Sequence, residues 1–155
     1  MIDLVKKMLG ISRESRAEAD EGASEHRALV ATTALLLEIA LIDGSFTEDE
    51  KGRIVTILTA EYGLDEAEAE AVMDIARAQL KGSIDLWQFT SAINRHFSEE
   101  EKVKVVEMVW RVIFADGTLD KYEDFLVRTI SNLLHLEHGQ FIDAKLRARQ
   151  AAPKR

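Results

Sequence analysis

A nine-residue acidic pattern occurs twice in this chain, the second copy seventy-three residues beyond the first. Ile42-Asp43-Gly44-Ser45-Phe46-Thr47-Glu48-Asp49-Glu50 returns as Ala115-Asp116-Gly117-Thr118-Leu119-Asp120-Lys121-Tyr122-Glu123. Residues 43–58 set against 116–131 match at five of sixteen positions: the Asp, the Gly, the Glu, a Thr and an Ile. In each copy an apolar run at helical spacing ends in Asp-Gly, and a Glu seven residues after the Asp opens the next run. Two related helix-loop-helix halves follow, each with two carboxylates near one junction.

The 155 residues are 46% hydrophobic and include a single proline, enough for one compact domain with a real core. Abundant Ala, Leu, Glu, Lys and Arg favour helix, because these side chains lose little rotamer freedom there. The fold class is therefore all-α. A formal net charge of -8 argues against nucleic acid, whose recognition needs a basic stripe to replace phosphate counterions. It suits a protein that attracts cations. With no cysteine, disulfides, thiolate metal sites and thiol nucleophiles are excluded, leaving metals that accept oxygen or imidazole. No apolar run reaches the roughly 18 to 20 residues that span a bilayer, and the N-terminus lacks the features of a secretory signal. The expectation is a cytoplasmic chain that is not transmembrane.

Three regions are expected: residues 1–24, 25–149 and 150–155. In the first, Ile2, Val5, Met8 and Leu9 fall at helical spacing around Lys6 and Lys7, giving a short amphipathic helix that docks on its own domain or on a membrane surface. Docking on the domain or partial disorder is preferred to the membrane, since one short helix with two lysines anchors weakly. Residues 12–25 are polar and read as a linker or frayed helix.

The globular region reads as about seven helices. Residues 26–42 are apolar on most sides and make a central helix. A second runs from Thr47 to about Tyr62, where Gly63 supplies a left-handed stop. A third opens at Asp65, and a fourth covers residues 85–97 with Leu86, Phe89 and Ile93 on one stripe. Ser98-Glu99-Glu100-Glu101 is a capping box before a fifth, as apolar as the first. The sixth starts at Asp120 and the seventh at Glu137, followed by a basic tail. Each half holds a buried helix, an acidic loop, a second helix ending before a leucine (Tyr62-Gly63-Leu64; His135-Leu136) and a further helix. A pseudo-two-fold bundle buries the two similar apolar helices together.

Much of the repeat has a purely structural account. Thr47 with Glu50, and Asp120 with Glu123, fit capping boxes, while Gly44 and Gly117 fit helix ends that need positive φ. Asp43 and Asp116 do not, because a carboxylate at a helix C-terminus opposes the dipole by a few tenths to about 1 kcal/mol. A cation, a basic partner such as Arg53 or Arg111, or loop amides would compensate. An EF-hand loop fails: its sixth position is Glu48 where glycine is required, and its twelfth is Ile54 where a bidentate glutamate is required. A different oxygen site using the Asp, the Glu and loop carbonyls stays open.

The run 39–54 with Asp43-Gly44 and Glu50, then Leu86-Trp87-Gln88-Phe89-Thr90 with Ile93-Asn94, then Ser98-Glu99-Glu100-Glu101, then 110–123 with Phe114-Ala115-Asp116-Gly117, resembles the TerB-like family. That family includes the tellurite resistance protein TerB and a domain of some membrane-associated DnaJ-type co-chaperones. The resemblance covers roughly residues 25–149. It implies a helical fold with internal pseudo-symmetry and an acidic site for a divalent metal, Ca²⁺ or another, at Asp43, Glu50, Asp116 and Glu123. It also implies a stress-response role without enzymatic activity, and assembly with other proteins, including a membrane-associated complex at the cytoplasmic face of the inner membrane. The alternative is a metal-independent interaction adaptor there.

Other chemistry is thin. His135 and His138 read as a surface pair flanking Leu136, and Glu66, Glu68 and Glu70 as a solvated face. Trp87 and Trp110 are expected in the core, each indole N–H with one partner. Lys145, Arg147 and Arg149 suit a helix C-terminus. No triad, phosphate loop or thiol chemistry is apparent.

Overall fold

Side-chain caps set several of the helix starts. Thr47 takes extended geometry and its hydroxyl accepts the Glu50 N–H at 3.2 Å, while the Thr47 N–H donates back to Glu50 Oε1 at 3.3 Å. Asp65 with Glu68, and Ser98 with Glu101, close the same reciprocal pair. Each box satisfies two amides that the helix leaves without partners.

The computed structural model describes residues 16–42, 44, 46–82, 85–115 and 121–151, and among them there are seven helices and no strand. They are α1 (Arg16–Ala40), α2 (Glu48–Tyr62), α3 (Glu66–Lys81), α4 (Trp87–His96), α5 (Glu99–Ala115), α6 (Lys121–Leu133) and α7 (His138–Ala151). The all-α expectation and the helix count hold. Helix α1 starts at Arg16, ahead of the start that apolar periodicity marks, so helix continues back through part of the polar stretch. Its Ala, Glu and Arg residues have high helix propensity, which needs no apolar stripe. The amphipathic segment of residues 1–15 and the tail beyond residue 151 lie outside the described residues.

Helices α1 and α5 form the centre. Leu35, Leu36 and Leu37 of α1 and Val109, Trp110 and Ile113 of α5 are essentially inaccessible to water. On α1, Thr32 and Thr33 are buried too, and each hydroxyl donates to the carbonyl four residues back at 2.8 Å. A polar residue is tolerated in the core because its hydrogen bond is made locally.

The halves repeat in space. Within its half α1 packs more on α3 than on α2, as α5 packs more on α7 than on α6. Helix α4 stands outside the repeat and bridges α1 to α6.

The second helix of each half ends alike. Gly63 sits at φ 66° and His135 at φ 61°, each followed by a buried leucine, Leu64 and Leu136. At the second end the Leu136 N–H donates to Ser131 O and the His135 N–H to Asn132 O, a Schellman closure.

Candidate functional site

Two salt bridges, both through Glu61, join α2 to α5. Glu61, in the last turn of α2, holds Arg111 at 2.9 Å and Lys104 at 3.7 Å, and Lys104 also meets Glu107 at 2.9 Å. The hydrogen bond from Lys104 to Glu107 holds the ammonium above its ordinary pKa. Arg111, a sequence candidate for neutralising an acidic loop, is committed to Glu61 instead. Tyr62, next in the chain, has its phenol pushed up, chiefly by burial and in part opposed by a hydrogen bond with Thr32.

With Glu61 facing Lys104 and Arg111, α2 and α5 run antiparallel. The start of α2 therefore lies at the end of α5: Glu48, Asp49, Arg53, Arg111 and Ala115 line one cleft of about 620 Å³. Ala40 and Glu48 bound the first repeated loop and Ala115 and Lys121 the second. The two junctions are thus at the same end of the α2/α5 pair.

The four sequence-predicted ligands divide there. Asp43 and Asp116 lie outside the described residues. Glu50 is the capping partner of Thr47 through Oε1, which leaves its second oxygen free of the box. Glu123, expected near the surface, is buried in the first turn of α6 and has its own partner. Among the described residues no group of three or more His, Asp or Glu side chains could hold a metal. The donor chemistry that is described, carboxylate oxygen, suits a hard cation such as Ca²⁺.

A second feature was misread from sequence. Trp87, expected in the core, is 60% exposed at the first position of α4. The apolar stripe of that helix is carried by Phe89 and Ile93, and a helix start places neighbouring residues on different faces. Tyr122 and Phe125 on α6 are 60% and 65% exposed. Trp87 and Tyr122 line a groove of about 510 Å³ floored by Leu86, Leu126 and Leu133. The two charged side chains lining it, Glu38 and Asp85, are both acidic.

Trp110 is buried as expected, yet its indole Nε1 has no hydrogen-bond partner among the described residues. Its ring stacks on Phe114 at 5.3 Å, tilts against Phe141 at 5.6 Å and lies 5.0 Å from Lys145 Nζ. Arg149 covers Phe114 and Arg128 covers Phe141. Lys145 and Arg149 of α7 and Arg128 of α6 thus serve an aromatic cluster, a pairing of distant residues that periodicity alone does not reveal. His135 and His138 are both exposed, as the surface reading expects.

An all-helical domain of two related three-helix halves, with a seventh helix between them and its repeated loops at one end, defines the class. The family model described as "Tellurite resistance protein TerB" matches residues 29–146, and the chain belongs to that family. No curated protein matches the chain. A crystal structure of a protein of unknown function from Porphyromonas gingivalis W83 is similar with a TM-score of 0.60 at 19% identity, over 80% of this chain and 89% of that one. At that identity the likeness shows the fold. Among the described residues no helix is long and apolar enough to cross a membrane.

Proposed function

We propose that this TerB-family domain is a non-catalytic binding module that takes a divalent cation, Ca²⁺ in the first instance, at the end of the bundle carrying the repeated Asp-Gly loops. The observation that supports it is the antiparallel α2/α5 pairing, which brings the boundaries of both loops to one cleft. Asp43 and Asp116 are the primary ligands in this reading, because each opposes a helix dipole that a cation would offset. Glu50 contributes the oxygen its cap leaves over, and Glu123 closes the second loop. The family's description carries tellurite resistance, and the reading extends this to a stress-response role in a cytoplasmic protein working at the inner face of the membrane. Calorimetric titration with Ca²⁺ and melting with and without it, on the wild type and on Asp43→Asn/Asp116→Asn, test the reading. Calcium-dependent melting of the wild type alone is the expected result; superimposable curves throughout would sink it.

A second reading is a metal-independent adaptor for other proteins, favoured by the exposed Trp87, Tyr122 and Phe125. Large apolar side chains grouped at the surface mark docking sites. A partner captured by photocrosslinking from Phe125 should survive chelation and be lost with Trp87→Ala.

A further inference from the structure

The outer side of α4 separates two clefts of opposite charge, and the exposed Trp87 lines both. One, of about 440 Å³, has Arg27 of α1 and Arg95 of α4 as its charged side chains. The other is the groove of about 510 Å³ shared with α6, whose charges are Glu38 and Asp85. His96 meets Glu25 at 3.8 Å while Asp85 shares a cleft with Glu38, so α4 runs antiparallel to α1. The acidic pair therefore marks the start of α4 and the basic pair its end. Asp85 and Arg95 are ten residues, about 15 Å, apart along the chain's helical rise.

Like charges gathered at each end are unfavourable within one chain. Arg27 and Asp85 also interact within it, but Glu38 and Arg95 have no ion-pair partner among the described residues. A two-fold rotation relieves both ends together. Turned about Ser91, midway between Trp87 and Arg95, α4 lies antiparallel on a second α4. Arg95 then faces the other copy's Trp87, with Glu38 and Asp85 just beyond it, and the same contact recurs across the axis. Each exposed indole receives a guanidinium and each acidic end a basic one. A helix of one charge sign would suit one cleft and be repelled at the other, whereas a second copy brings both signs in the required order.

We propose that this chain associates with a second copy of itself through α4, as a two-fold dimer in which Arg95 of each copy packs on Trp87 and pairs with the Glu38/Asp85 end of the other. The proposal rests on the second reading above, that the surface around Trp87 is a docking surface, and it names what docks there.

Sedimentation equilibrium of the full chain is the test. A face of this extent lies at the low end of specific interfaces, so the titration covers about 5–500 μM protein. The wild type should pass from monomer to dimer within that range. Arg95→Glu and Glu38→Lys should each associate at least about tenfold more weakly, since each sets like charges together on both sides of the axis. An equimolar mixture of the two variants should regain the dimer, because their altered faces complement one another, and that recovery also shows both to be folded. A wild type that is monomeric throughout overturns the proposal. So does a dimer that both charge variants leave unchanged, or a mixture that associates no more tightly than either variant alone. If the dimer falls, a Phe125 photocrosslink to a different protein that is lost with Trp87→Ala keeps the docking surface. Without such a crosslink both fall.

Discussion

Arg111 Nη1 stands 2.9 Å from Glu61 Oε1, joining the middle of one half's central helix to the last turn of the other half's second helix. Both side chains are largely shielded from solvent, and Lys104 reaches the other Glu61 oxygen at 3.7 Å. The site is intermediate between an exposed pair, worth little, and a buried one whose rupture is severe. Glu61→Ala should therefore cost about 1–2 kcal/mol, more than Lys104→Ala, because it leaves Arg111 shielded without its acceptor. Denaturant unfolding of the two variants and their double-mutant cycle measures the difference.

The box between Thr47 and Glu50 separates structural from ligand roles. Thr47→Ala removes the acceptor for the Glu50 amide and should cost about 1 kcal/mol. Glu50→Gln keeps an oxygen able to accept from the Thr47 amide, since Gln serves at the third position of the box, and should be near neutral in metal-free buffer. A loss of stability for Glu50→Gln that appears only in added Ca²⁺ would mark Glu50 as a ligand, and differential scanning calorimetry in both buffers reads it.

His135 occupies the left-handed region at φ 61°, where its counterpart at the end of α2 is Gly63. A Cβ is disfavoured there, and the residue is exposed, so little packing is lost on removing its ring. His135→Gly should be neutral to stabilising by up to about 1 kcal/mol, with the relief of native strain partly offset by a more flexible unfolded chain. Urea midpoints of the two proteins decide it.

The sequence shows some parts of this molecule better than others, for physical reasons. Caps at Thr47, Asp65 and Ser98 and the stop at Gly63 are local hydrogen-bonding devices within four residues of one another, so they are readable without the fold. The buried faces of α1 and α5 are readable because they repeat with helical period. Trp87 stands among apolar residues at helical spacing and so reads as core, whereas its exposure depends on where the helix begins. Arg111 to Glu61 and Lys145 over Trp110 join residues fifty and thirty-five positions apart, and no periodicity encodes such pairs. Glu123 reads from sequence as a cap or a ligand at the surface, but it falls on the inward side of the first turn of α6, while Lys121 and Tyr122 beside it are exposed.

His26 is partly buried beside Arg27, and its Nδ1 has no hydrogen-bond partner among the described residues. Burial first, then the neighbouring guanidinium, hold its imidazole below the ordinary pKa of 6.5. The unfolded chain therefore binds the proton before the folded one does, and stability rises with pH across the interval below 6.5. Acidification from neutral pH should lower the urea midpoint progressively as pH falls through that interval, and His26→Gln should flatten this part of the profile.

The ring of Trp110 is held by contacts on several sides and lacks an acceptor for its N–H, so its contribution is packing and cation–π attraction. Lys145→Met keeps an unbranched stem but removes the ammonium 5.0 Å from the ring, and should cost about 0.5–2 kcal/mol, since the face it covers is desolvated. Trp110→Phe gives up part of the stacking on Phe114 and opens a void, yet also removes a buried donor that costs about 1–3 kcal/mol to leave unmet. Its penalty should therefore fall below the about 3–5 kcal/mol expected for Trp110→Ala. If Trp110→Phe and Trp110→Ala were equally damaging in thermal unfolding, the indole N–H would have a partner in solution, and water bound at Nε1 would be the first candidate.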